Sequence, residues 1–372
     1  MGVGRTVVGA QARGRWALVL AVVVVLAAVP VALQLRPARA AGIDVATLRA
    51  RITASRGQPF QGYAQSTGLL PLPALPNLEQ VSALVSTTTE MRAWYAGTDR
   101  WRVDVLAAGS ERDLYQTPGA QFVWDYGQNQ LSRIAGEQPV RLPRAADLLP
   151  TALVHTLLDV AAGEKTEPLA ARRVAGIDAA GLRIVPASPD TTVDHIDIWA
   201  DPGTGLPVQA EVTARGGQRP VFVTRFLELH LSTPGAAVLT PPAERAGIGY
   251  SETEAPDVLS AINRRRIGLL PGRLAGLPRR AAVARISAVG LYGAGLTQFV
   301  VVSLPGRFGR QAYDQLATYG TAVSVARGDA ALLGTGLLSV LVVRGARTYL
   351  VAGLVQPAVL RGVAGDLAEA AA

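Results

Sequence analysis

The chain has 372 residues, is 49% hydrophobic and 17% charged, and carries a formal net charge of +8. That length suits two domains of roughly 100–200 residues each. With no cysteine in the chain, disulfides, thiolate metal sites, cysteine nucleophiles and a lipidated N-terminal cysteine are all excluded.

The N-terminus sets Arg5, Arg13 and Arg15 before an uncharged apolar run, Trp16 to Leu33, which ends in Arg36-Pro37-Ala38-Arg39-Ala40-Ala41. A basic flank, an apolar run and an A-x-A site describe a secretory signal. The run of 18 residues is at the lower edge of what spans a bilayer, and Pro30 shortens its helical part. Residues 1–41 are therefore expected to be a signal peptide or a membrane anchor. Either reading exports residues 42–372 beyond the cytoplasmic membrane.

Ile43 to Arg56 reads as a helix, with Val45, Leu48 and Ile52 on one side and Asp44 as N-cap. Phe60–Thr67 and Leu84–Tyr95 read as strands. Between them, residues 69–80, LLPLPALPNLEQ, form an apolar loop whose prolines at 71, 73 and 76 forbid regular structure. Its leucines, Leu70, Leu72 and Leu75 among them, are expected to pack over something. Strands follow at 101–106, 112–116, 122–125 and 130–134, then an amphipathic helix at 145–161 with Pro150 in its first turn. Further strands are expected at 172–177, 180–186, 195–200, 207–214 and 221–231. Asp201-Pro202-Gly203-Thr204-Gly205 closes a hairpin between two of these. Without βαβ alternation, this pattern argues an antiparallel sheet with helices on one side.

Residues 233–260, rich in Pro, Ala, Gly and Glu, read as a linker. Residues 261–372 read as a smaller α+β domain, with strands at 282–289, 298–303, 337–343 and 348–354 and helices at 310–319 and 358–371. Charge divides along the same line. Residues 41–260 hold 18 basic and 24 acidic residues, whereas residues 261–372 hold 13 arginines and 4 acids. Arg264, Arg265 and Arg266, with Arg279 and Arg280, could meet lipid headgroups or an acidic partner, or form a solvated face. An exported chain suits neither DNA nor RNA.

Asp99–Asp104 (DRWRVD), Glu111–Gln116 (ERDLYQ), Phe122–Gly127 (FVWDYG) and Ile196–Val208 (IDIWADPGTGLPV) occur in an order and spacing that resemble the LolA/LolB and RseB/MucB superfamily of envelope proteins. The resemblance covers residues 43–231. It implies an α+β fold in which a curved antiparallel sheet forms an unclosed half-barrel with helices in its hollow, over residues 42–232. It also implies binding of lipid or lipoprotein acyl chains in that hollow, with either a carrier role or control of a membrane-bound anti-sigma factor. The second domain resembles the C-terminal domain of RseB-like proteins, and its presence favours the regulator. Trp94, Trp101, Phe122, Trp124 and Trp199, with the three leucines above, are the expected lining, since aromatic rings bury much area with few rotors.

No catalytic motif is present, and neither an enzyme nor a cofactor is expected. His195 and Asp197 share a strand face with Glu211 across the hairpin, yet a solvated face explains them better than a metal. The carboxylates Asp99, Asp104, Glu111, Asp113 and Asp125 crowd one stretch, and are ordinary for turns and exposed strand faces.

Overall fold

The structure, a computed structural model, describes residues 42–72, 79–107, 109–136, 141–243, 247–254, 270–280 and 289–370, with Val19, Leu20, Val23 and Ala38. It divides into two units, Met1–Arg39 and Ala40–Ala372. In the first, Val19, Leu20 and Val23 are helical and exposed. The rest of the apolar run and the expected A-x-A cleavage site, Ala38 apart, lie outside the described residues. Among the described residues no helix is long and apolar enough to cross a membrane.

The second unit holds two sheets. The larger has twelve strands. They are β1 (Phe60–Gly68), β2 (Thr88–Gly97), β3 (Arg100–Ala107), β4 (Ser110–Thr117), β5 (Ala120–Asp125), β6 (Gln130–Ala135), β7 (Lys165–Val174), β8 (Ile177–Val185), β9 (Val193–Ala200), β10 (Pro207–Ala214), β11 (Pro220–His230) and β12 (Gly249–Glu254). Their order is β12-β6-β5-β4-β3-β2-β1-β11-β10-β9-β8-β7, antiparallel throughout except for β12 on β6. The sheet is curved and does not close.

Among the described residues three helices accompany it: α1 (Val45–Ala54), α2 (Glu79–Ser86) and α3 (Pro150–Val160). Asp44 caps α1, its Oδ1 accepting from the Thr47 amide at 2.9 Å. The expected helix at 145–161 is two pieces, a 3-10 turn at Ala145–Leu148 and then α3. Leu149 between them is extended, with ψ 140°, because the ring of Pro150 disfavours the helical conformation in the residue before it.

Strand alternation turns alternate residues to the two faces of the sheet. Cross-strand register places Phe60, Tyr95 and Trp101 in one row and Ala64, Met91 and Val105 in another, both on the helix-bearing face. On the other wing Leu182, Ile198 and Ala210 continue that face. Against it lie Leu48 and Ile52 of α1, Leu148 and Leu149, and Val154 and Leu158 of α3, in one buried core. Each such side chain contributes roughly 1.5–3 kcal/mol when fully buried. Two glycines allow close approach. A Cβ at Gly68 would lie 2.1 Å from the Val85 carbonyl oxygen, so α2 rests directly on β1. Gly205, at φ +76°, ends the β9–β10 turn where a Cβ would meet the Arg51 backbone at 2.4 Å.

The second sheet has eight strands, ordered β13-β14-β15-β16-β20-β19-β18-β17. These are β13 (Arg273–Leu274), β14 (Leu277–Arg280), β15 (Val289–Ala294), β16 (Thr297–Leu304), β17 (Thr321–Val323), β18 (Asp329–Gly334), β19 (Ser339–Arg344) and β20 (Thr348–Gly353). Two helices among the described residues cover its opposite faces. Leu360, Val363 and Leu367 of α5 (Pro357–Ala370) pack on Leu341, Val343 and Val351. Leu316 of α4 (Gly306–Tyr319) packs on Val340 and Val342, whose alternation turns them the other way.

The segment 186–193 joins the sheets. Thr191 bridges to Val355, the Thr192 amide donates to Leu354 O at 3.1 Å, and the Gln356 amide donates to Asp190 O at 2.7 Å. Leu296 and Leu337 complete the core of the larger sheet.

Several expectations are corrected. The strand expected from Leu84 begins at Thr88, and the residues before it are the end of α2. The run 172–177 is a hairpin tip, with Ala175 and Gly176 at φ 47° and 82°, and β7 starts earlier, at Lys165. The stretch read as a linker carries β12, which pairs with β6. The strand expected at 282–289 lies outside the described residues except for Val289.

Candidate ligand-binding hollow

The helices fill most of the hollow but leave a cavity of about 240 Å³ between β1–β3, the 3-10 turn and α3. Its apolar wall is Phe60, Ala93, Tyr95, Trp101 and Val103 from the strands, with Leu149, Ala152 and Leu206. The rings are ordered: Phe60 and Tyr95 stack at 5.2 Å and 14°, and Phe226 meets Phe60 edge-on at 5.4 Å. Trp101 stands directly opposite Tyr95 in the register. Tyr95 is pinned by donating its hydroxyl to Arg56 O at 2.7 Å, and burial raises its pKa.

The polar lining is self-paired. Arg56 pairs with Asp159, and Arg141 makes two 2.6 Å bonds to Asp147. His155 is buried with Nε2 2.9 Å from Ile52 O, so Nε2 carries the proton and donates it. Burial pushes its pKa below the ordinary value, against the pull of that bond. Beside the turn, the Arg144 guanidinium reaches Gln121 Oε1, and its Nη2 is buried without a partner. Burial lowers the Arg144 pKa, and neighbouring Arg141 adds to the effect. The hollow thus has an apolar aromatic floor, and the arginines in its lining, Arg56, Arg102 and Arg141, are each paired with a carboxylate.

Register decides which expected residues share it. Trp101 lines the cavity. Leu70 is buried in the adjoining core and Leu72 packs against it, while Leu75 lies outside the described residues. Phe122, Trp124 and Trp199 are not in the cavity wall. Trp94 contributes to the cavity wall, but its register partner is Arg102, and its ring lies 5.1 Å from that guanidinium on the outer face. Phe122 and Trp124 also face outward, packing with Tyr115, Leu131 and Ile248. Trp199 is on the outer face of the other wing. There Arg172 sits 3.7 Å over its ring, and its Nε1 donates to Ala170 O at 3.0 Å.

Phe60 and Tyr95 are aromatic residues of the hollow that sequence reasoning did not single out. The Phe60–Tyr95 pairing needed the β1–β2 register, in which they are opposite. Of the arginines expected at a partner surface, Arg279 is taken up by the fold, donating to Leu270 O and Val289 O, and Arg280 is exposed. Arg264, Arg265 and Arg266 lie outside the described residues. The carboxylates of the possible metal trio are engaged, Asp197 with Arg183 and Glu211 with Arg172.

No protein-family model and no curated protein matches the chain. Solved structures do. The chain is similar to the MucA/MucB complex of Pseudomonas aeruginosa, at 18% identity and TM-score 0.49, over 87% of this chain and 98% of that one. It is similar to MucB in complex with MucA(peri), at 18% identity and TM-score 0.48, over 87% and 97% of the two chains. A LolA superfamily protein from Nitrosomonas europaea is similar at 11% identity and TM-score 0.23, over 54% of this chain and 99% of that one. TM-scores below 0.5 at such identities carry no functional assignment.

Proposed function

We propose that the protein is an exported, non-catalytic lipid or lipoprotein sensor that takes an acyl chain into its hollow and regulates a membrane-bound anti-sigma factor. The observation that carries the binding half is the aromatic floor of Phe60, Tyr95 and Trp101 within the cavity. The regulatory half is supported by the second sheet, docked through residues 186–193, which a simple carrier does not need.

At about 240 Å³ the cavity is smaller than the roughly 300–1,000 Å³ of common ligand sites. It admits part of a chain as it stands, and a full acyl chain requires α3 or the segment around Leu70 to shift. That coupling between occupancy and helix position is what a sensor needs: the ligand must favour one arrangement over another.

The test is native mass spectrometry of the protein purified from its host's envelope, with lipid extraction. A co-purifying acyl species supports the hollow as a binding site. An empty protein that binds no added lipid contradicts it. Titration with the extracytoplasmic segment of the host's membrane anti-sigma factor, with and without a fatty-acid probe, separates regulator from carrier. The regulator shows a partner affinity that changes with the probe, and the LolA-like carrier shows no such partner.

A further inference from the structure

On the outer face, β3 and β4 set Asp104 directly opposite Asp113, with Glu111 next along on the same side. One oxygen from each of the three carboxylates lies within 4.8 Å of the others. The side chains of Asp104 and Asp113 are only 2% and 1% exposed. Arg102 grips both oxygens of Asp104, at 2.5 and 2.8 Å, and Oδ2 of Asp113 at 2.9 Å. Tyr115 donates its hydroxyl to that same Oδ2 at 3.2 Å. Oδ1 of Asp113 is buried and has no partner.

The charges do not balance. Three carboxylates face one guanidinium. Arg92, opposite Asp104 on β2, and Glu90, two residues along on the same face, offset one another. Two negative charges remain where water is largely excluded, and an uncompensated buried charge costs several kcal/mol. One proton would cancel half of that surplus, and a divalent cation cancels it all. Oxygen-only donors are the ligands of hard cations, and the half-exposed Glu111 leaves a side open for water to complete the shell. We infer that Asp104, Glu111 and Asp113 form a site for a hard divalent cation of the calcium class, with Arg102 and Tyr115 orienting the two aspartates.

Terbium luminescence tests the site on the full chain, because Trp124 lies opposite Asp113 in the register and Tyr115 touches it, both placed to sensitise a bound ion. The expected result is saturable emission that calcium chloride competes away. Glu111→Gln should weaken binding more than about tenfold, since even outer-shell changes cost 10–100-fold in metal affinity. Glu252→Gln, on β12 and paired with Arg133, should leave it unchanged. Asp113→Asn should also abolish emission. If that variant does not fold, Glu111→Gln decides alone, because its side chain is not fully buried. Absence of calcium-competed emission, or wild-type affinity in Glu111→Gln, overturns the site.

Discussion

His155 shows how one buried group ties the hollow to pH. Its pKa is lowered from 6.5 by burial, so between its folded value and 6.5 the unfolded chain binds more protons than the folded one. Stability is therefore intact above about pH 6.5 and falls as pH drops through that value, by at most about 1.4 kcal/mol per pH unit for one proton. His155→Gln keeps a donor for Ile52 O and should flatten this slope, read from denaturant midpoints between pH 5 and 8. A slope unchanged by the substitution would remove His155 as its source. At the same scale, Ile52 is fully buried in the core beneath that histidine, and Ile52→Ala should cost about 2–5 kcal/mol. Thermal unfolding checks this, and a loss under about 1 kcal/mol would mean the site collapses around the gap.

Among the elements, those with one dominant pattern were legible in the sequence. The helix from Val45, its Asp44 cap, the Asp201–Gly205 hairpin and the strands from Trp101 to Ile134 all lie where patterning puts them. Which face of those strands is inside was not legible, because both faces carry apolar groups: Tyr95 and Trp101 point to the helices, Trp94 and Trp124 away. Alternation fixes that two faces differ, and only the cross-strand register and the helices on one side say which is which. The helix α2 was missed although Val81, Leu84 and Val85 stand at helical spacing, since its β-branched tail runs straight into β2. The strand β12 was hidden in polar, proline-flanked sequence, and only pairing with β6 makes it a strand. The β9–β10 turn carries its own prediction. Gly205→Ala meets both a positive φ and the Arg51 backbone, and should destabilise by about 1–3 kcal/mol, whereas Gly235→Ala, with open space at its Cβ, should not.

Across the whole molecule, a twelve-stranded unclosed sheet and a smaller eight-stranded sheet share one compact unit, stitched by the Asp190–Thr192 and Leu354–Gln356 segments. This is the architecture that the family resemblance implied. The central claim is that the larger sheet's hollow receives an apolar chain, and that the outer aromatic cluster does not. Titration of a fluorescent fatty acid into three proteins tests it most directly: wild type, Ala152→Trp, which fills the cavity from α3, and Phe122→Ala, which alters the outer face. The account predicts that Ala152→Trp weakens binding at least about tenfold, as lost burial of a few methylenes requires, while Phe122→Ala binds as wild type does. Unchanged binding in Ala152→Trp, with loss in Phe122→Ala, would contradict it and move the site to the other face of the sheet.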